Sequence, residues 1–113
     1  METKHTPGPW HTGRNTVARN TIVYDSAGNA ICDCKTFHGN HDDQAGSDNA
    51  RLIAAAPLML QALIDAEELI EDQVNSIESE IKYVRGTMYN QDDLTDAKEK
   101  LAAVREAIAK ATQ

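Results

Sequence analysis

The sequence predicts an α+β fold: an N-terminal β-hairpin or small antiparallel meander packed on a long, coiled-coil-like antiparallel αα-hairpin. Three observations predict it. Residues 20–35 read as strand, turn and strand. From residue 53 onward, apolar residues recur seven apart. The chain also changes character near residue 47: residues 1–51 hold five bases and six acids, whereas residues 52–113 hold six bases and twelve acids. All four histidines, both cysteines, the one Trp and the one Phe lie in the first part. A chain of 113 residues suits one domain, 1–113, with arm, hairpin and loop over 1–46 and helices over 47–113.

Residues 1–12 read as an extended arm, because Pro7 and Pro9 fix their own φ and push their predecessors out of the helical region. The Pro-Gly-Pro-Trp run then delivers Trp10 to the edge of the core. Thr21-Ile22-Val23-Tyr24 is β-branched and aromatic, which favours a strand. Asp25-Ser26-Ala27-Gly28-Asn29 is turn chemistry, with Gly28 free to take positive φ. In Ala30–Lys35 the alternation puts Cys32 and Cys34 on one face and Asp33 and Lys35 on the other. A third short strand is expected from Trp10 to about His11, or through Thr16–Arg19. Two strands alone are marginal, so the hairpin needs cover, and the helices are available.

Residues 36–46 offer nothing to bury and read as a loop. Ser47 or Asp48 is expected to cap the first helix. Pro57 either kinks that helix or starts a new one at its first position. The long helix, expected over Pro57–Arg85, carries two heptad rows: Ile53, Leu60, Glu67, Val74, Ile81, Met88, and Ala56, Leu63, Ile70, Ile77, Val84. Only Glu67 breaks the apolar pattern. The last segment repeats it with Leu94, Leu101, Ile108 and with Ala97, Val104, Ala111. Seven-residue spacing marks a coiled-coil seam. The link from Gly86 to Gln91 is short enough for an antiparallel pair, and Asp92 and Asp93 suit a helix start. The last helix is too short to cover the whole of its partner. Leu58–Leu69 is therefore expected to pack on the hairpin or on a second copy, which predicts a homo-oligomer.

A charge of −7 and a pI near 4.9 argue against nucleic-acid binding, which needs a basic surface. No apolar run approaches the length of a membrane span, and no basic and apolar leader opens the chain. Catalysis has thin support: no nucleophile elbow, phosphate loop or dinucleotide fingerprint is present. No catalytic residue and no cofactor is therefore expected. Cys32-x-Cys34 with His38-x-x-His41 offers four zinc-ligand types at a spacing unlike structural zinc sites. The cysteines read as small strand residues and the histidines as loop residues, and no metal is expected. The acid run Asp65–Glu80 reads as a solvated helix face. The basic and ring-bearing residues of the first half point to a ligand site. Trp10 and His11 offer rings for a base. Arg14, Arg19, Asn49 and Arg51 offer donors for phosphate near a helix start, with Asn15 and Tyr24 close in sequence.

His5-Thr6-Pro7-Gly8-Pro9-Trp10 and Asn49-Ala50-Arg51-Leu52-Ile53-Ala54-Ala55-Ala56-Pro57 resemble the signatures of a widespread family of small phage and prophage proteins. The resemblance covers residues 5–10 and 49–64 closely and the rest in general pattern. It implies a phage accessory protein in the cytoplasm of the infected bacterial host. Small acidic phage proteins of this kind often counter host defence. One route is to sequester a nucleotide-derived immune signal, a cyclic oligonucleotide or a cyclic ADP-ribose derivative. The other is to dock a host protein through an acidic or apolar helix face. The expected reading is thus a non-enzymatic binding protein with a small-molecule ligand, a host defence protein being the alternative partner.

Overall fold

A computed structural model describes residues 4–13, 20–36 and 43–113. In chain order they form β1 (His11–Thr12), β2 (Ile22–Tyr24), β3 (Ala30–Asp33), α1 (Gln44–Ala54), α2 (Ala56–Tyr83) and α3 (Gln91–Thr112). The contacts divide the chain into two compact units, 1–59 and 60–113.

In the first unit the strands form an antiparallel sheet in the order β1-β2-β3. The expected hairpin is β2 with β3, and of the two candidate third strands the one at His11 is present. The Thr16–Arg19 alternative lies outside the described residues. The Asp25 carboxylate organises the hairpin turn by accepting the backbone N–H groups of Ala27 (3.0 Å) and Asn29 (2.8 Å). Gly28 follows at φ +88°, a left-handed conformation that favours glycine. Val23 stands opposite both Thr12 and Cys32 and is wholly buried, so these three share the covered face of the sheet.

That cover is α1, which packs on β1 and β2. Its contact surface is made of small residues: Gly46 and Ala50, one turn apart, are both buried. α1 starts earlier than the sequence suggests. Its N-cap is Asp43, not Ser47 or Asp48, so the loop expected over 36–46 gives way to helix at Gln44. Asp43 accepts from Gly46 N at 3.0 Å and also from Thr36 N (2.7 Å) and Thr36 Oγ1 (2.5 Å). A capping carboxylate that also grips the preceding loop outcompetes a hydroxyl one turn later. The arm lies against the start of α2: a Cβ on Gly8 would sit 2.8 Å from Cβ of Pro57. Gly8–Pro9 is a cis peptide, and Ser26 Oγ donates to the Pro9 carbonyl at 2.9 Å.

Pro57 ends one helix and opens the next. It has no N–H for the carbonyl of Ile53, so α1 stops at Ala54 and Ala55 caps it. Pro57 is then the second residue of α2, where a missing N–H costs nothing.

The second unit is a helical hairpin. The 28 residues of α2 run roughly 42 Å at 1.5 Å per residue. Val74 and Ile77 from α2 and Leu94 and Leu101 from α3 form its buried cluster, with Ile70, Ile81 and Ala97 against it. These are the expected heptad positions. Leu60 and Ile108 are also buried. Glu67, the exception, is half-buried; Arg105 Nε approaches it at 3.8 Å and Arg105 Nη2 approaches Glu71 at 3.3 Å.

The seam is shorter than the periodicity predicts. α2 ends at Tyr83 rather than Arg85, Val84 is half exposed, and Met88 is 96% exposed. Gly86 takes φ +76°, which leaves the helical region and swings the following residues off the seam. Ala111 is exposed as well. Asn90 begins α3 with a reciprocal cap: its side chain accepts from Asp93 N, and Asp93 accepts from Asn90 N, both at 2.9 Å. Of the stretch expected to need cover, Leu58 and Leu69 are exposed at 76% and 71%, whereas Leu60 is buried.

Candidate functional site

The residues nominated by the sequence fall into several places in the first unit. Arg14 and Arg19 lie outside the described residues, as does Asn15. Asn49 and Arg51 are both exposed on α1, on either side of the buried Ala50. At 3.6 residues per turn they project about 200° apart, so one small ligand does not meet both. The Arg51 guanidinium pairs with the Asp48 carboxylate. Asp48 also accepts from Gln44 Nε2 at 2.9 Å. The Gln44 bond, and after it the Arg51 bond, hold the Asp48 carboxyl below the usual carboxylate range.

The rings form two pairs. Trp10 turns back on the arm: its indole N–H donates to the Thr6 carbonyl at 3.1 Å, and His5 meets it edge-on at 5.9 Å. His11 instead stacks on Tyr24, its cross-strand partner, with centroids 5.8 Å apart and planes 24° from parallel. Strand alternation puts this pair on the sheet face opposite Val23, away from α1. His11 is exposed, and its Nδ1 lies 3.2 Å from the Thr12 carbonyl oxygen. Asp25, beside this pair in sequence, is held below its ordinary pKa, chiefly by the Asn29 backbone N–H.

Cys32 and Cys34 are free, half-buried thiols. The ladder runs past the end of β3, because Cys34 N donates to the Thr21 carbonyl at 2.7 Å. Burial, and then the Cys34 thiol's own hydrogen bond to Cys32, raise that thiol above its ordinary pKa. His38 and His41 lie outside the described residues. Among the described residues, no group of three or more His, Cys, Asp or Glu side chains is placed to hold a metal ion.

Sequence reasoning missed a groove of about 440 Å³ on the helical hairpin, lined among others by Ile70, Ile77, Met88, Tyr89, Asp93 and Lys100. The only signal for it was the pair of large side chains, Met88 and Tyr89, placed after a glycine that ends the helix. Among the described residues, the exposed large apolar side chains of the first unit are Leu52, Ile53, Leu58 and Met59, at the junction of α1 and α2. Among the described residues, no helix is long and apolar enough to cross a membrane.

No curated protein and no solved structure matches this sequence. The match is at the level of the family, and it spans the arm, the sheet and both units: the model of the Salmonella phage P22 protein Y8K6 family covers residues 1–113, and the chain belongs to that phage family.

Proposed function

We propose that this phage protein is a binding protein, not an enzyme. It acts in the cytoplasm of the infected bacterium against host defence, by sequestering a nucleotide-derived signal of the cyclic oligonucleotide or cyclic ADP-ribose type. The observation that carries the reading is the His11–Tyr24 stack on the open face of the sheet. A base laid on the exposed His11 extends a ring pair that the strand register already positions, so little ordering is needed on binding. Arg14 and Arg19, in the segment between β1 and β2, are the phosphate partners in this reading. Arg51 is not part of this site, because it is carried by α1, which covers the other face of the sheet, and it is paired with Asp48. Asn49, on α1, and Trp10, engaged by Thr6 and His5, stand outside this reading.

A thermal-shift screen against cyclic di- and trinucleotides and ADP-ribose derivatives tests it. Ligand at 100 times its dissociation constant adds about 2.7 kcal/mol, a rise of roughly ten degrees for a chain of this size. His11→Ala should abolish the shift while leaving the helical circular dichroism intact. A flat screen removes the sequestration reading.

The second reading is a protein–protein inhibitor or adaptor. It is favoured by the exposed Leu52, Leu58 and Met59, which fall within eight residues of chain across the α1–α2 junction. A homo-oligomer would use the same surface. Sedimentation of wild type against a Leu58→Asp, Met59→Asp variant separates self-association from a monomer that docks a host protein. Charge reversal at Glu68 probes the acidic face with the least disturbance, since Glu67 and Glu71 are engaged by Arg105. It should spare a nucleotide sponge and weaken an acidic docking surface.

A further inference from the structure

We infer that the groove on the helical hairpin is a docking site for a short basic amphipathic helix of a partner protein. The groove arises beside one small residue. Val74, Ile77, Leu94 and Leu101 close the seam, but the neighbouring heptad position on α3 is Ala97, whose side chain stops at Cβ. Ile70 and Ile77 of α2 are left as the apolar floor of an opening of about 440 Å³. They stand seven residues apart, about 10.5 Å along α2, which is two turns of helix. A helical segment of similar length fills such a floor with apolar side chains spaced three, four or seven apart.

The end of the groove nearest the turn carries Met88 and Tyr89, 96% and 41% exposed. Their backbone is held in place. Thr87 Oγ1 donates to Glu80 at 3.0 Å and accepts from Tyr89 N at 3.3 Å, and Asn90 N donates to Asp93 at 2.9 Å. Met88 is thus kept in solvent beside an apolar opening. A single exposed apolar residue means little, but a flexible thioether and a ring at the mouth of an apolar groove make an adaptable wall for an incoming side chain.

Charge selects the occupant. The second unit, 60–113, carries twelve acids and six bases. On the rim, Lys100 is already paired with Asp96 at 3.2 Å, whereas Asp93 is bonded to a backbone N–H and has no ion-pair partner among the described residues. Lys or Arg flanking the apolar residues of the occupant meets this acidic rim and the Tyr89 ring. A second copy of the chain brings the same excess of acid and is repelled, as is an anionic membrane. The inference goes beyond the docking reading above, because the groove lies wholly within the second unit and uses neither Leu58 nor Met59.

The test is fluorescence anisotropy on the full-length protein. The probe is a labelled synthetic peptide of leucine and lysine at amphipathic helical spacing, and its control has glutamate in place of lysine. The lysine peptide should bind saturably, one per chain, and the glutamate peptide should not. Met88→Ser and Asp96→Lys should each weaken binding at least about fivefold, the scale of an anchor residue. Glu106→Lys makes the same charge change in an equally exposed pair of α3 outside the groove and should leave binding unchanged. The Leu58→Asp, Met59→Asp variant should also bind as wild type. Equal binding of the glutamate peptide, equal loss in Asp96→Lys and Glu106→Lys, or full affinity in Met88→Ser overturns the site. Loss confined to the Leu58, Met59 variant overturns it by placing the segment at the α1–α2 junction. A wild-type dimer that Met88→Ser splits in sedimentation overturns it by placing a second copy in the groove.

Discussion

Thr36 and Asp43 are tied at two points, the Thr36 backbone N–H at 2.7 Å and its hydroxyl at 2.5 Å, by the same carboxylate that caps α1. One side chain thus closes the segment between sheet and helix and also satisfies the helix start. Asp43→Ala should lower stability by about 1–2 kcal/mol, the usual cost of a lost cap, with Thr36 losing both its bonds as well. Asp43→Asn keeps an acceptor and should recover most of the loss. Urea unfolding followed by circular dichroism reads both; equal destabilisation by Asn and Ala would mean that the negative charge, not the cap geometry, matters.

Gly46 is required by space rather than by backbone conformation. A Cβ there would stand 2.5 Å from Asp43 Oδ2 and 2.8 Å from the Cys34 carbonyl oxygen. Gly46→Ala improves helix propensity in isolation, yet it should destabilise the protein by about 1–3 kcal/mol because the backbone of Cys34 must move. A melting temperature at or above wild type would show that the helix start yields freely.

Within the helical hairpin, burial separates residues of the same type. Leu101→Ala should cost about 2–5 kcal/mol, since its side chain closes the cluster with Val74, Ile77 and Leu94. Leu69→Ala, at a site 71% exposed, should change the melting temperature by little. A large loss at Leu69 would reveal a contact made only in an assembled state.

Glu67 occupies a seam position and is held by a long contact with Arg105, 3.8 Å, between half-exposed groups. Such a contact is worth about 0–1 kcal/mol. Glu67→Leu forfeits it and adds apolar surface to the seam, so the variant should melt higher than wild type. A lower melting temperature would assign Glu67 a role in fixing the register of the two helices.

Asp25 supports the hairpin turn only while ionised. Its pKa is depressed in the folded chain, so the unfolded chain binds the proton more readily. The contribution is present above about pH 3.9, the ordinary aspartate value, and is lost as pH falls through the lower folded value. The amide signals of Ala27 and Asn29 should therefore shift together on acidification below that point in an NMR titration, and Asp25→Asn should remove the transition.

Much of this was legible in the residues. Thr21–Tyr24 and Gly28 announced the β2–β3 hairpin by β-branching and a turn glycine, and the Leu94, Leu101, Ile108 row announced α3. What stayed hidden depended on contacts distant in sequence or on one residue overriding a pattern. The start of α1 was masked because Gly46 in a first turn looks like a loop residue until Cys34 is seen against it. The seam was read too far because Val84 and Met88 keep the spacing after Gly86 has ended the helix. The candidate site was the least legible part: residues close in sequence, such as His11 and Trp10 or Asn49 and Arg51, point in different directions once alternation and helical rotation are applied. The pairing of Arg51 with Asp48 was foreseeable from their three-residue spacing, and that of His11 with Tyr24 only from register.

The turn between α2 and α3 has a consequence for how the protein forms. Gly86, the Thr87 hydroxyl bonded to Glu80 at 3.0 Å, and the Asn90–Asp93 cap all act within fourteen residues of chain. Contacts this local close quickly. The helical hairpin can therefore zip outward from its tip, each closed turn of the seam bringing the next pair of apolar residues within reach.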